Sequence, residues 1–294
     1  MAREKASALG QIKAIDDDIY RSAVRTLKYV LFKNHPYRFQ SAGRSPVIKG
    51  LSRKQVVDYY RTYYAPNNMI LIIAGSVDKD AVRQKAARLF GQLKGREAPE
   101  IKVLADRKRA HARIITRKTE KEQSLILLGY PGAALYSHDK YVLEVLCSVL
   151  SGVNGRLSRS VREEKGLAYA LDAVSSTGIE PGMIMFYIAT TKDKLATAKD
   201  TLLGEIDLLK KKGISGEELR AAKNELIGAH LMGLQKIQDA AVRAGIDELY
   251  GLGHDNLLKY EERIKRISAD CVERAARKYL NDNSYVLLTV RGLQ

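Results

Sequence analysis

The chain has 294 residues, of which 45% are hydrophobic and 29% charged, a profile typical of a folded globular protein with one or two domains. No apolar run approaches the roughly 20 residues that a membrane-spanning helix needs, and two cysteines are too few for a disulfide framework. The net charge of +16 is spread along the chain, without a recognition helix or an aromatic RNA-binding strand, and this argues against nucleic acid as the partner.

The first predicted element is a helix that begins at the second residue. The stretch "AREKASALGQIKAI" consists of good helix formers, and its Ala, Leu and Ile residues recur at helical spacing. Further along, Ser52 is predicted to cap an amphipathic helix that ends at an Asn-rich turn. The apolar run of residues 69–73 that follows is predicted to form a buried strand.

The rest of the chain predicts strands, then helices, then a last strand. "ARIITRK", "QSLILLGYP", "GLAYALDAVSS" and "GMIMFYIATT" indicate strands, and "HDKYVLEVLCSVLSG" indicates a helix between the second and the third. Two helices follow, of which the first ends at Gly213 and the second begins with a capping box formed by Ser215 and Glu218. Strands followed by helices favour an α+β fold, with helices on one face of a largely antiparallel sheet.

An internal repeat relates the two ends of the chain. Residues 51–75 align without a gap with residues 267–291, so that Ser52 meets Ser268 at an offset of 216 positions (268 − 52). Other aligned pairs are Asn67 with Asn283, Ile70 with Val286 and Ile72 with Leu288, and, at an offset of 219, His35 with His254. Both copies predict the same order of capped helix, turn and apolar strand.

The repeat predicts the domain organisation. The second copy begins near residue 106, so we expect residues 1–105 to be the latter half of a first domain and residues 106–294 a complete second domain. The leading strands of the first copy would then lie outside these 294 residues, or another chain would fill their place. Without them, we expect the sheet of the first copy to be incomplete and its apolar edge to be exposed.

Few residues carry a chemical signal. The five histidines form no metal-binding spacing, and there is no Gly-rich phosphate loop. In the stretch "SGVNGRLSRSVREEKGLAYAL", Arg162 and Tyr169 lie on either side of Gly166, which is predicted to end a short basic helix. A guanidinium and a phenol that converge there could both donate to an oxyanion. On the pattern alone, a structural role for these residues is favoured.

These motifs resemble the pitrilysin/insulinase (M16) family of zinc metallopeptidases, in particular its short bacterial and processing-peptidase-like members. "HPYRFQSAGRSPVIKGLSRKQVVDYYRTYYAPNNMILIIAGSVD" resembles the end of the first M16 domain, and "SGVNGRLSRSVREEKGLAYA" resembles the signature of the second. The resemblance covers nearly the whole chain. It implies tandem α+β domains, each an antiparallel-rich sheet with helices on one face, of which the first is incomplete here.

The resemblance also implies where zinc would bind. Members of the family hold it with His-x-x-Glu-His and a later Glu, and this chain lacks the His-x-x-Glu-His motif. Gln11 occupies the position of the later Glu, and Glu4 matches a Glu seven residues before it that supports the metal site without binding the zinc itself. Because a neutral amide is a weaker zinc ligand than a carboxylate, we expect Gln11 not to function as a ligand and the chain alone to bind no zinc.

In the family, an Arg and a Tyr of the second domain bind the substrate carbonyl, and Arg162 and Tyr169 match this pair. The resemblance therefore implies a non-catalytic subunit, inactive alone, that binds a peptide or unfolded protein and associates with a homologous zinc-bearing subunit or with itself. Two alternatives stay open: a truncated piece of an active zinc endopeptidase, and a purely structural assembly module like the core proteins of respiratory complexes. Bacterial relatives occur in the cytoplasm and in the periplasm.

Overall fold

The computed structural model of the chain describes residues 1–97, 103 and 111–293. Within these ranges the helices are α1 (Ala2–Asp17), α2 (Ile19–Leu31), α3 (Ser45–Gly50), α4 (Arg53–Tyr63), α5 (Lys79–Phe90), α6 (Asp139–Ser151), α7 (Leu195–Lys212), α8 (Gly216–Gly233), α9 (Ile237–Leu249), α10 (Tyr260–Lys265) and α11 (Ala269–Tyr279). None of the helices so described is both long and apolar enough to cross a membrane. The domain boundary predicted at residues 105 and 106 lies outside the described residues.

In the described residues the strands form one mixed sheet, which lies within residues 113–292 and is called the second copy's sheet below. They are β1 (Arg113–Thr119), β2 (Ser124–Pro131), β3 (Ala170–Ser176), β4 (Met183–Thr190) and β5 (Val286–Gly292), and their order in the sheet is β1-β5-β2-β4-β3. β5, the last strand along the chain, pairs with β1 in parallel and with β2 antiparallel, and the β2–β4 and β3–β4 pairs are antiparallel. The α+β class and the antiparallel-rich sheet predicted from the sequence are therefore confirmed.

The two faces of this sheet are covered by helices from different parts of the chain. On one face, Ile126, Leu128 and Phe186 share a core with the second copy's own helices, including α6, α7 and α11. On the other face, Leu125, Leu127 and Leu288 pack against α2, which comes from the N-terminal part of the chain. Burial on both sides explains why β2 and β4 are almost continuously apolar instead of alternating.

The predicted helix termini form as the sequence indicates. The Ser52 and Ser215 side chains accept hydrogen bonds from the third residue of α4 and α8 and complete a capping box in both helices. Gly213 ends α7 with a φ of 70°, a left-handed conformation that glycine adopts without a steric penalty. At the other end of the chain, the Asp18 carboxylate accepts a hydrogen bond from the Arg21 N–H and so caps α2.

The strand predicted at residues 69–73 is not present. These residues follow the short 3₁₀ turn Pro66–Asn68, have no regular structure, and expose between 38% and 58% of their surface. A strand needs neighbours to satisfy its backbone N–H and C=O groups, and no described strand lies beside these residues. The prediction of a buried strand at residues 69–73 was therefore wrong.

Candidate functional site

Arg162 lies in a π-helical segment, Ser158–Glu163, that joins α6 to the sheet. The Glu164 N–H donates to the Arg159 carbonyl at 2.9 Å, which is the wider i to i+5 pattern of a π-helix. Val161 is fully buried and anchors the segment in the core, whereas Arg162 is exposed. The backbone that carries Arg162 is therefore fixed, and its guanidinium reaches solvent.

A tight turn at Gly166 connects this segment to β3. Gly166 has a φ of 56°, as the prediction of a helix end at this glycine requires. After the turn, the Leu167 N–H donates to the Val161 carbonyl at 2.7 Å, and the Tyr169 N–H donates to the Ala189 carbonyl at 2.9 Å. Tyr169 thus precedes β3 on a backbone tied to β4, and its side chain is 67% exposed.

Two residues that the sequence analysis did not single out hold this turn. The buried Thr190 hydroxyl donates to the Leu167 carbonyl at 2.5 Å, and the Lys194 ammonium donates to the Gly166 carbonyl at 3.0 Å. Thr190 is the last residue of β4, and Lys194 comes shortly after it. They lie beside the turn because β3 pairs with β4. No local pattern in the sequence marks them.

The structure places Arg162 and Tyr169 on the two sides of one turn, but no hydrogen bond joins their side chains. Neither side chain has a hydrogen-bond or ion-pair partner in the part of the chain that the structure describes. Both groups are donors, and both are accessible. The turn therefore presents donors that a carbonyl oxygen or an oxyanion could accept from.

Gln11 and Glu4 lie on α1, and both are exposed. Seven residues along a helix correspond to about 10 Å, so the two residues lie two turns apart on α1. In residues 1–97, 103 and 111–293, no group of three or more His, Cys, Asp or Glu residues is suited to a metal ion. A zinc site takes at least three protein ligands, so the described residues do not fit zinc by themselves.

A known protein family matches the middle of the chain. A sequence profile described as the "Peptidase M16 inactive domain" matches residues 50–226, which is more than half of the chain. The chain therefore belongs to the M16 peptidase family. The matched residues include the turn with Arg162 and Tyr169.

Curated relatives are named as zinc proteases. The chain is 26% identical over 300 residues to an uncharacterized zinc protease of Bacillus subtilis, YmxG, covering 99% of this chain and 71% of the relative. It is also 26% identical over 288 residues to an uncharacterized zinc protease of Streptomyces coelicolor, covering 94% of this chain and 62% of the relative. The chain thus spans roughly two thirds of the length of these proteins.

Solved structures share the fold at low sequence identity. A protease from Helicobacter pylori superposes with a TM-score of 0.90 at 18% identity and covers 99% of this chain and 71% of its own. A peptidase M16 inactive domain from Pseudomonas fluorescens superposes with a TM-score of 0.86 at 21% identity, and the match covers 100% of this chain and 70% of that one. A chain of Complex III2 from Candida albicans superposes with a TM-score of 0.86 at 16% identity, and the match covers 99% of this chain and 70% of that one. These similarities establish the M16-type fold.

Proposed function

We propose that this chain is a non-catalytic M16 subunit that binds an extended peptide and presents it to a zinc-bearing homologue. The observation that carries the proposal is the turn around Gly166, which offers the Arg162 and Tyr169 side chains without internal partners. Exposed donors of this kind are free to hydrogen bond to a bound ligand. Family membership and the zinc-protease names of the relatives support the class of partner.

The strand beside the turn supports an extended ligand. In the described part of the chain, β3 is one of the two edge strands of the sheet, pairs only with β4, and begins directly after Tyr169. An extended peptide can add to such an edge through main-chain hydrogen bonds. A peptide in this position would bring one of its carbonyl groups past Tyr169 at the start of β3, which is where the two donors would act.

The role of the two side chains follows from their chemistry. Arg162 and Tyr169 each donate a hydrogen bond to the carbonyl oxygen of the bound peptide, orient it, and stabilise the negative charge that develops on it during hydrolysis. The guanidinium contributes a fixed positive charge, and the phenol a neutral donor. In the described residues no group of three or more His, Cys, Asp or Glu is suited to a metal ion, and the proposal therefore places the hydrolytic centre in the partner subunit.

The test is peptide hydrolysis by the purified chain mixed with a zinc-bearing M16 subunit. We expect Arg162→Ala and Tyr169→Phe each to lower kcat/KM by about 100-fold, the typical effect of losing one oxyanion donor. Arg159→Ala is the matched control, because Arg159 is an exposed arginine of the same π-helical segment, and it should leave the rate unchanged. An unchanged rate for Arg162→Ala would show that the proposed role is wrong.

A purely structural role is the second candidate, and the similarity to a chain of Complex III2 favours it. A structural subunit would assemble with partners but would have no use for exposed donors beside a sheet edge. Fluorescence anisotropy with labelled unfolded peptides separates the two functions. Binding that Arg162→Ala weakens supports the peptide-binding subunit, whereas assembly without any peptide binding supports the structural module.

A further inference from the structure

A buried histidine connects α8 to the elements that follow α9. His230 lies in the last turn of α8 and exposes 6% of its surface. Its Nε2 atom lies 2.9 Å from the carbonyl oxygen of Leu257, in the 3₁₀ turn Asn256–Lys259. Its ring stacks on the ring of Tyr260, the first residue of α10, with 4.3 Å between the centroids. His230 therefore holds both the turn and the start of α10 against α8.

The hydrogen bond to Leu257 fixes the protonation state of this ring. A backbone carbonyl only accepts hydrogen bonds, so Nε2 carries a proton and donates it to Leu257. In the neutral imidazole, Nδ1 then carries no proton. Nδ1 is buried, and no group in the described part of the chain hydrogen bonds to it. Protonation of His230 would place a second N–H at this position without an acceptor, which is unfavourable in the interior.

The charged groups around His230 act in both directions. The pKa of His230 is lowered from its ordinary 6.5, first by burial and then by the positive charge of Arg243 on α9. The backbone hydrogen bond and the Glu261 carboxylate of α10 oppose this shift with smaller effects. Glu144 of α6 accepts a hydrogen bond from the Tyr260 hydroxyl at 2.5 Å and interacts with Arg243. The balance favours a neutral His230 in the folded chain.

The turn that His230 holds is also connected to α9 and α10. The Asn256 side-chain amide donates to the Asp247 carboxylate of α9 at 3.0 Å, and the Asn256 side-chain oxygen accepts from Arg263 of α10. Asn256 and Leu257 are both buried. Because Leu257 directly follows Asn256, losing the hydrogen bond from His230 would loosen the place where α8, α9 and α10 meet.

We propose that His230 is a pH-sensitive switch, which keeps the turn Asn256–Lys259 docked on α8 while its ring is neutral and favours release of the turn once the ring is protonated in mild acid. Opening of the turn lets water reach Nδ1, so the open state takes up the proton that the docked state disfavours. Since the docked state has the lower pKa, its full stability is present above pH 6.5 and is lost as the pH falls below that value. The proposal does not depend on Arg162 or Tyr169.

Hydrogen exchange of the full chain, followed by NMR between pH 7.5 and pH 5.0, tests this switch. The readout is the protection factor, which corrects for the pH dependence of intrinsic exchange. The Leu258 and Tyr260 amides donate hydrogen bonds within the turn, and their protection should fall by between about threefold and about 30-fold over this range. The upper limit is the effect of one group with an ordinary pKa of 6.5 that takes up its proton only in the open state.

Three variants separate His230 from its surroundings. His230→Gln can keep an N–H donor for the Leu257 carbonyl and cannot be protonated, so the turn should stay protected at pH 7.5 and lose its pH dependence. Arg243→Gln leaves the ring in place but removes its positive neighbour, and it should reduce the pH dependence. His254→Gln is the matched control, because His254 lies just before the same turn with an 81% exposed side chain, and its pH dependence should equal that of the original chain.

An NMR titration of the His230 ring in the original chain gives a reading that does not rely on the folding of a variant, and we expect a pKa below 6.5. Three results would overturn the proposal. One is a His230 pKa at or above 6.5 in the folded chain. Another is unchanged protection of the Leu258 and Tyr260 amides between pH 7.5 and pH 5.0. The third is a folded His230→Gln variant with the pH dependence of the original chain. No peptide or partner subunit takes part, so the peptide-binding proposal is tested separately.

Discussion

The contact between α2 and the second copy's sheet can be tested by a double-mutant cycle on Leu27 and Gly129. Leu27 is fully buried, so Leu27→Ala removes three core carbon atoms and should cost about 3 kcal/mol of unfolding free energy. Gly129→Ala places a methyl group 3.0 to 3.2 Å from three atoms of the Leu27 side chain. Because these atoms must move to make room, this change alone should cost about 1 to 2 kcal/mol.

The double variant should be more stable than the sum of the single changes predicts. Once Leu27 is an alanine, the three crowding atoms are gone, and the new methyl group on residue 129 fills part of the cavity. Burial of one methyl group is worth about 0.8 kcal/mol, so the second change becomes neutral or slightly stabilising. The coupling energy should therefore be about 2 kcal/mol.

Urea unfolding followed by circular dichroism at 25 °C measures all four proteins. Leu89→Ala serves as the control, because Leu89 lies in α5 of the first copy with 57% of its surface exposed, and it should cost less than about 0.5 kcal/mol. If the two changes at Leu27 and Gly129 add to within about 0.5 kcal/mol, they are independent, and the packing of α2 on β2 described above is incorrect.

Three further predictions concern single sites. Hydrogen bonds from Arg156 lower the pKa of the Glu218 carboxyl to about 2, from its ordinary value of 4.5. The ion pair therefore stabilises the fold above pH 4.5, and this contribution is lost as the pH falls from 4.5 towards 2. Glu218→Gln should lower the unfolding free energy at pH 7 by about 1 kcal/mol, allowing for solvent screening of a partly exposed pair, and should flatten its decline in acid. Gly166→Ala should lower the unfolding free energy, measured in urea, by about 1 kcal/mol. This cost comes from the left-handed backbone alone, because nothing lies within 4 Å of the added methyl group, and a much larger loss would mean that the turn is packed differently. Ellman's reagent should titrate one thiol in the native chain and two in denaturant. The reason is that burial raises the pKa of Cys147, whereas hydrogen bonds with Ser268 lower the pKa of the half-buried Cys271. Two reactive thiols in the native chain would contradict the burial of Cys147.

The sequence predicted which residues form the candidate site, but not which residues hold its turn in place. The spacing of Arg162 and Tyr169 about Gly166 is visible in the sequence, and the turn forms there with the backbone conformation that a glycine permits. Thr190 and Lys194, which hold the turn, lie more than twenty residues away along the chain. Their contribution depends on the pairing of β3 with β4, which no local pattern encodes.

The sequence by itself determined the elements whose hydrogen bonds close locally. Helix α1 begins at Ala2, the capping boxes form at Ser52 and Ser215, and α7 ends at Gly213, because helices and caps satisfy their backbone groups within a few residues. The internal repeat is likewise visible in the sequence alone, from the alignment of residues 51–75 with residues 267–291.

The tertiary structure alone decided which apolar runs become strands and which helix covers which sheet. Two equivalent runs, residues 69–73 and β5, have the same kind of sequence, yet only β5 is a strand, because in the described residues only β5 has strands on both sides. A strand takes its hydrogen bonds from other segments, so its formation depends on what lies beside it in space. For the same reason, only the packing of the folded chain shows that α2 covers one face of the second copy's sheet.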